Sequence, residues 1–140
     1  RGRTRDEGMS TKERGKIQRP QRGKTILVCG SRHWNNWPIM VRSMQLHITC
    51  DDTVIHGACR GADSMADRIA REQIGATVKV FPADWNTFGK YAGPKRNRQM
   101  LDIADKVLAF HEAIEDSKGT KDVIDEAARR GIPFVLIDGP

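Results

Sequence analysis

Five short apolar runs punctuate this chain, and between them hydrophobic residues recur at the three-to-four spacing of a helix. The first run, Thr25-Ile26-Leu27-Val28-Cys29, has no polar interruption. That suits a strand covered on both faces, as in a parallel sheet, better than a strand with one wet side. Further strands are predicted over 53–56, 77–81, 106–110 and 132–137. After Pro38, a natural first-turn residue, Val41, Met44 and Ile48 form one helical stripe. Met65, Ala66, Ile69 and Ala70 form a second, Met100, Leu101 and Ala104 a third, and Val123, Ile124, Ala127 and Ala128 a fourth. Gly75 and Gly131 end the second and fourth in the position a left-handed cap requires.

Strands alternating with helices imply a three-layer α/β sandwich with a five-stranded parallel sheet and right-handed crossovers. The expected strand order is 3-2-1-4-5. In that order the chain reverses direction between strands one and four, and a ligand belongs at the carboxyl ends of the strands there. Three loops meet at that point: Gly30-Ser31-Arg32, the turn from Gly57 to Asp63, and 111–120. The stretch 83–94, with Asp84, Trp85, Phe88 and Tyr91, is too long and varied for a plain connector. It runs into a helix expected to open at Lys95-Arg96-Asn97-Arg98. Cations at a helix N-terminus oppose its dipole unless an anion is bound. Lys90, Lys95, Arg96 and Arg98 beside the aromatic rings suit a nucleotide, with charge for phosphate and a ring for the base.

Composition changes this picture mainly at the N-terminus. The net charge is +6. Residues 1–23 hold eight Lys or Arg against three acids, whereas the rest of the chain holds sixteen against fifteen. With Met9 and Ile17 as its large apolar residues, this segment reads as a basic arm that buries too little surface to order by itself. It is suited to nucleic acid or a protein partner, or is simply solvated. Residues 24–140 form one domain. Met9 is a candidate start. Cys29, Cys50 and Cys59 are widely spaced and form no framework, which points to a reducing, cytoplasmic setting. No run is long enough to span a bilayer, and no signal-peptide core is evident. His33, His47, His56 and His111 form no metal constellation, and no cofactor is expected, although His56 and His111 lie at strand ends near the proposed site.

The combination of Gly30-Ser31-Arg32, His56-Gly57-Ala58 with Gly61-Ala62-Asp63, Pro82-Ala83-Asp84-Trp85, and Ala92-Gly93-Pro94 with Arg96-Asn97-Arg98 and Met100 resembles the YspA-like branch of the SLOG superfamily over about residues 24–138. The resemblance implies a Rossmann-like fold and an association with nucleotides and nucleotide-derived ligands. The same superfamily includes LOG-type phosphoribohydrolases and the DNA-processing DprA proteins. LOG enzymes pair an Arg on the helix after strand three with an acid after a Gly-Gly-x-Gly-Thr turn. Here Arg98, or Arg96, takes the first place, and Gly119-Thr120 with Asp122 resembles the second. Asp116 and Ser117 stand where that turn has two glycines, and Asp122 replaces the usual Glu. Binding therefore ranks above catalysis.

The expected ligand contacts are Gly30, Ser31, Arg32, His56, Gly57, Arg60, Gly61, Asp63, Asp84, Trp85, Arg96, Gly119 and Thr120, with phosphate near the Gly30 and Gly57 turns and Arg96 and Arg98 closing over it. Arg98 and Asp122 are the catalytic candidates if turnover occurs. Three functions stand open: binding of a nucleotide-derived small molecule, N-glycosidic hydrolysis of a nucleoside 5′-monophosphate, and DNA binding or assembly through the basic arm. A homo-oligomer is compatible with all three, and no membrane is involved.

Overall fold

The computed structural model describes residues 23–139. The arm assigned to 1–23 lies, apart from Gly23, outside the described residues. The elements follow in the order β1 (Thr25–Gly30), α1 (Trp37–His47), β2 (Thr53–His56), α2 (Ala62–Arg68, continued by π-helical turns over Ile69–Ile74), β3 (Thr77–Val80), α3 (Trp85–Phe88), α4 (Ala92–Leu101), β4 (Lys106–Phe110), α5 (Gly119–Arg130) and β5 (Phe134–Ile137). The sheet order is β3-β2-β1-β4-β5, and every pairing is parallel. This is the Rossmann-like α/β architecture expected from the alternation of strand and helix.

The uninterrupted apolar run of β1 has a simple geometric reason. Successive side chains of a strand point to opposite faces. Ile26 and Val28 enter the layer under α1 and α2, with Met40, Met44, Ile48, Ile69, Leu108 and Phe110. Leu27 and Cys29 enter the opposite layer with Met100, Leu101, Val107, Val123 and Ala127. In α1 the buried stripe is Met40, Met44 and Ile48, with Val41 only half-buried, because an i, i+4, i+8 row aligns on the face toward the sheet.

The stretch after β3 departs from expectation. It is not a loop: α3 is followed by a 3₁₀ turn, Gly89–Tyr91, and α4 opens at Ala92, three residues before Lys95. The Asp84 side chain accepts the Thr87 N–H and starts α3. Lys95 and Arg96 consequently sit beyond the first residues of α4, and Arg98 lies in its last turn, where a cation favours the dipole. The dipole conflict anticipated for these cations is absent. Among the described residues, no helix is long and apolar enough to cross a membrane.

Candidate functional site

Parallel strands end together, and the ends of β1, β2 and β4 with the openings of α4 and α5 enclose a cavity of about 730 Å³. Its wall includes Gly30, Ser31, Arg32, Gly57, Asp63, Trp85, Arg96, Gly119, Thr120 and Asp122, which brings together ten of the residues singled out from sequence. The other five lie elsewhere. His56 is buried; its Nδ1 accepts the Ala58 N–H and its Nε2 lies 2.7 Å from Asp67, so the ring ties the end of β2 to α2. Arg60 is exposed and outside the wall. Gly61 serves packing: at φ +71°, a Cβ there would stand 2.4 Å from the backbone oxygens of Ser31 and Arg32. Asp84 caps α3. Arg98 faces the outside of α4, with Nη1 donating to the Pro94 carbonyl at 3.2 Å and Nη2 3.9 Å from Glu126.

Gly30 lets the site close. A Cβ at this position would lie 2.1 Å from the Phe110 carbonyl oxygen and 2.7 Å from the Ala62 Cβ, so β1 can abut both β4 and α2 only without a side chain. Beyond it, Ser31 N–H donates to the Phe110 carbonyl and Ser31 Oγ donates to Glu112 at 2.9 Å while accepting the His33 N–H. Slight burial pushes the Glu112 carboxyl upward. Its own backbone N–H, the Ser31 hydroxyl and nearby His111 and His33 outweigh that and hold it below the ordinary glutamate range.

In the turn from Gly57 to Ala62, four of the N–H groups expected to face an anion are taken by the protein itself. Asp63 Oδ2 already accepts the Gly57 and Cys59 N–H groups at 3.1 and 3.2 Å. Ala58 N–H goes to His56, and Ala62 N–H to the Ser31 carbonyl. A carboxylate of the protein itself thus takes two of the donors that the sequence assigned to phosphate. Burial raises the Asp63 carboxyl, against hydrogen bonds from Cys59 and Gly57 and the charges of His56 and Arg96. Burial likewise raises the Cys29 thiol, reinforced by Asp63 and opposed by Arg96, so this cavity-wall cysteine is a poor nucleophile.

Arg96 is buried beneath the site. Nη1 donates to the Gly57 carbonyl at 2.7 Å and the Phe81 carbonyl at 3.2 Å, and Nε donates to Asn97 Oδ1 at 2.9 Å. Asn97 Nδ2 then donates to Asp122 Oδ2 at 3.1 Å. One chain of hydrogen bonds thus links the ends of β2 and β3, through α4, to α5. Gly57 is glycine because the guanidinium lies against it: an added Cβ would fall 2.4 Å from Nη1.

Three donors retain unmet capacity facing the cavity. Arg96 Nη2 has no partner among the described residues. Thr120 is buried, and among the described residues its hydroxyl has no hydrogen-bond partner, while its backbone N–H donates to Ser117 Oγ. His111 is also buried, and Nδ1 accepts the Ala113 N–H at 2.9 Å, so the neutral ring carries its proton on Nε2 and presents it to the cavity. The sequence reading left Asn97 and His111 out of the site. Their signal was positional, Asn97 following Arg96 and His111 ending β4, but the bonds that orient them are long-range. Among the described residues, no group of three or more His, Cys, Asp or Glu is placed to hold a metal.

One effect of pH belongs to this neighbourhood. The Asp67 carboxyl is pushed up slightly by burial, but hydrogen bonds from Arg71 and His56 bring it below the ordinary aspartate range. A depressed folded-state value contributes stability that is present at neutral pH and lost as the pH falls through that range. Asp67→Asn is expected to reduce acid destabilisation by less than about 1 kcal/mol, since Asp67 is only half-buried and its Arg71 partner is exposed, so solvent screens the pair. Urea midpoints at neutral pH and near pH ~3.5 measure the difference, and an unchanged acid slope refutes it.

The family model described as "YspA, cpYpsA-related SLOG family" matches residues 24–88, the segment from β1 through α3 that supplies the Gly30, Gly57 and Trp85 walls. The Gene 61 protein of Mycobacterium phage D29 is 36% identical over 122 residues, covering 80% of this chain and 94% of its relative. The chain belongs to the YspA, cpYpsA-related SLOG family. Two solved structures share the SLOG-type fold. DprA from Streptococcus pneumoniae superposes with a TM-score of 0.68 at 16% identity, covering 84% of this chain. The chain spans about half of that protein, 51%. The DprA structure from Helicobacter pylori, solved for its single-stranded DNA binding mode, gives a TM-score of 0.59 at 13% identity, covering 85% of this chain and 67% of that one.

Proposed function

We propose that the cavity binds a nucleotide-derived ligand, with the phosphate toward Arg32, Lys118 and the opening of α5, and the sugar or base toward Trp85 and Arg96. The observation that carries the reading is a set of donors on largely buried residues, Arg96 Nη2, His111 Nε2 and Thr120 Oγ1, that have no partner among the described residues and lie on residues lining one cavity. Several donors converging on the wall of one cavity suit a polar, acceptor-rich ligand. Membership of the SLOG family and the single-stranded DNA bound by the H. pylori relative support the nucleotide class. In this reading the phosphate lies toward α5 rather than at the Gly57 turn, where Asp63 already accepts the Gly57 and Cys59 N–H groups.

Isothermal calorimetry with nucleoside mono- and diphosphates and ADP-ribose tests the reading. His111→Phe, which removes the Nε2 donor and also the acceptor of the Ala113 N–H, is expected to weaken binding about tenfold and to lower stability by about 1 kcal/mol. Absence of binding by every member of the panel overturns the proposal.

A second reading rests on Asp122, which lines the cavity, has one carboxylate oxygen held by Asn97 and, among the described residues, has no hydrogen-bond partner on the other. It fits an N-glycosidic hydrolase in which that acid supports the developing sugar cation, with Arg96 rather than Arg98 as the nearby cation. Release of free base from a nucleoside 5′-monophosphate, abolished by Asp122→Asn, would be its signature.

A further inference from the structure

The stretch from Trp85 to Tyr91 contains three large aromatic side chains, yet every residue in it is exposed. Trp85 is 56% exposed, Phe88 41% and Tyr91 78%, and neither α3 nor the turn after it buries any residue. Of the four exposed aromatic residues among those described, three fall within these seven positions. An aromatic ring gains more from burial than nearly any other side chain, so a cluster left in water marks a surface made for a partner.

The surroundings indicate which partner. From Lys79 to Arg98 there are five cations, of which Arg96 is buried and Arg98 faces Glu126, and one acid, Asp84, whose carboxylate accepts the Thr87 N–H. Lys95 Nζ stands 4.9 Å from the centre of the Phe88 ring, and Lys90 lies between Phe88 and Tyr91 in sequence. The shelf is continuous with the cavity: Trp85 and Lys90 belong to its wall, and the Trp85 ring lies so near Gly93 that a Cβ there would meet it at 3.2 Å. A protein partner would seek apolar area with complementary shape. Exposed aromatic faces interleaved with Lys90 and Lys95, with no acid between Trp85 and Arg98, match stacked bases on a phosphodiester backbone.

We propose that the Trp85–Tyr91 shelf is a stacking platform for a single-stranded polynucleotide, one nucleotide of which enters the cavity while its neighbours lie on Phe88 and Tyr91. The inference rests on the cavity reading above and extends it from a free nucleotide to a nucleotide within a chain. Lys90 and Lys95 meet the flanking phosphates. Stacking carries no base code, so sequence preference is weak and affinity falls with salt.

Fluorescence anisotropy with labelled oligothymidylate and oligouridylate of about 12 nucleotides, competed by the corresponding 5′-monophosphates, tests this. At least one oligonucleotide is expected to bind at least tenfold more tightly than its monophosphate. Tyr91→Ala is expected to weaken oligonucleotide binding about tenfold and Phe88→Ala with Tyr91→Ala about a hundredfold, with monophosphate affinity unchanged. Both side chains are exposed, so the fold should tolerate the changes, and circular dichroism checks this. Oligonucleotides binding no better than monophosphates overturn the shelf and leave the cavity reading standing. Tight oligonucleotide binding that monophosphate does not displace, but that the Tyr91 variant loses, overturns the cavity reading and leaves the shelf. Variants that bind normally but lose self-association in sedimentation assign the rings to a second copy of the chain and refute the proposal.

Discussion

Arg96→Ala is expected to destabilise the protein by about 3 kcal/mol, seen as a lower urea midpoint at unchanged slope. The change strips the Gly57 and Phe81 carbonyls and the Asn97 amide oxygen of their shared donor. It also removes the cation near the buried Asp63 carboxylate. No neighbouring side chain can replace a planar group that reaches three acceptors at once. Arg96→Lys therefore restores little, because a single ammonium cannot span β2, β3 and Asn97 together. A lysine variant as stable as the parent would show that charge, rather than the geometry of the fork, is what the site needs.

Gly30→Ala is expected to be comparably damaging, at about 3 kcal/mol, although it adds one methyl group. That methyl would stand 2.1 Å from the Phe110 oxygen and 2.9 Å from its carbonyl carbon. Both are backbone, so relief requires β1 and β4 to part where Ser31 N–H bonds the same carbonyl at 2.8 Å. Gly119→Ala is the matched control. A Cβ there meets nothing within 4 Å, at the opening of α5. It should be neutral or stabilising by up to about 1 kcal/mol. Thermal melts of the two variants, read side by side, check the pair. Equal losses at both positions would contradict the packing account of Gly30.

The expectation that folding alters most concerns the Gly57 turn, where Asp63 already takes two of the N–H groups. Glycines after a strand and before a helix suggest a phosphate cradle, but the same pattern arises when glycine makes room for the protein's own groups. Gly57 yields to the Arg96 guanidinium and Gly61 to the backbone of Ser31 and Arg32. Only the positions of residues distant in sequence separate the two cases. Arg98 fails for a related reason. Arg96 and Arg98 are both cations on one helix, and a rotation of about 200° between them sends one under the cavity and the other to Glu126. Their assignment depends on the phase of α4, and that helix starts three residues before Lys95 because the stretch after β3 coils into helical turns.

The sequence by itself determined the strands, the helical stripes, the parallel sheet and its order, because these follow from local periodicity and from the fact that a run apolar on both faces must be covered on both. It also determined which strand ends meet, and so where a ligand would enter. Tertiary structure alone decided the chemistry of that place: that Asp63 fills the turn, that Arg96 clamps the floor through Asn97 to Asp122, and that His111 is held with Nε2–H toward the cavity. Hydrogen bonds between residues 25 or 39 positions apart leave no periodic trace in the chain. A side chain's role depends on which of its polar atoms remain unpaired after folding, and that is fixed only when the distant partners are in place.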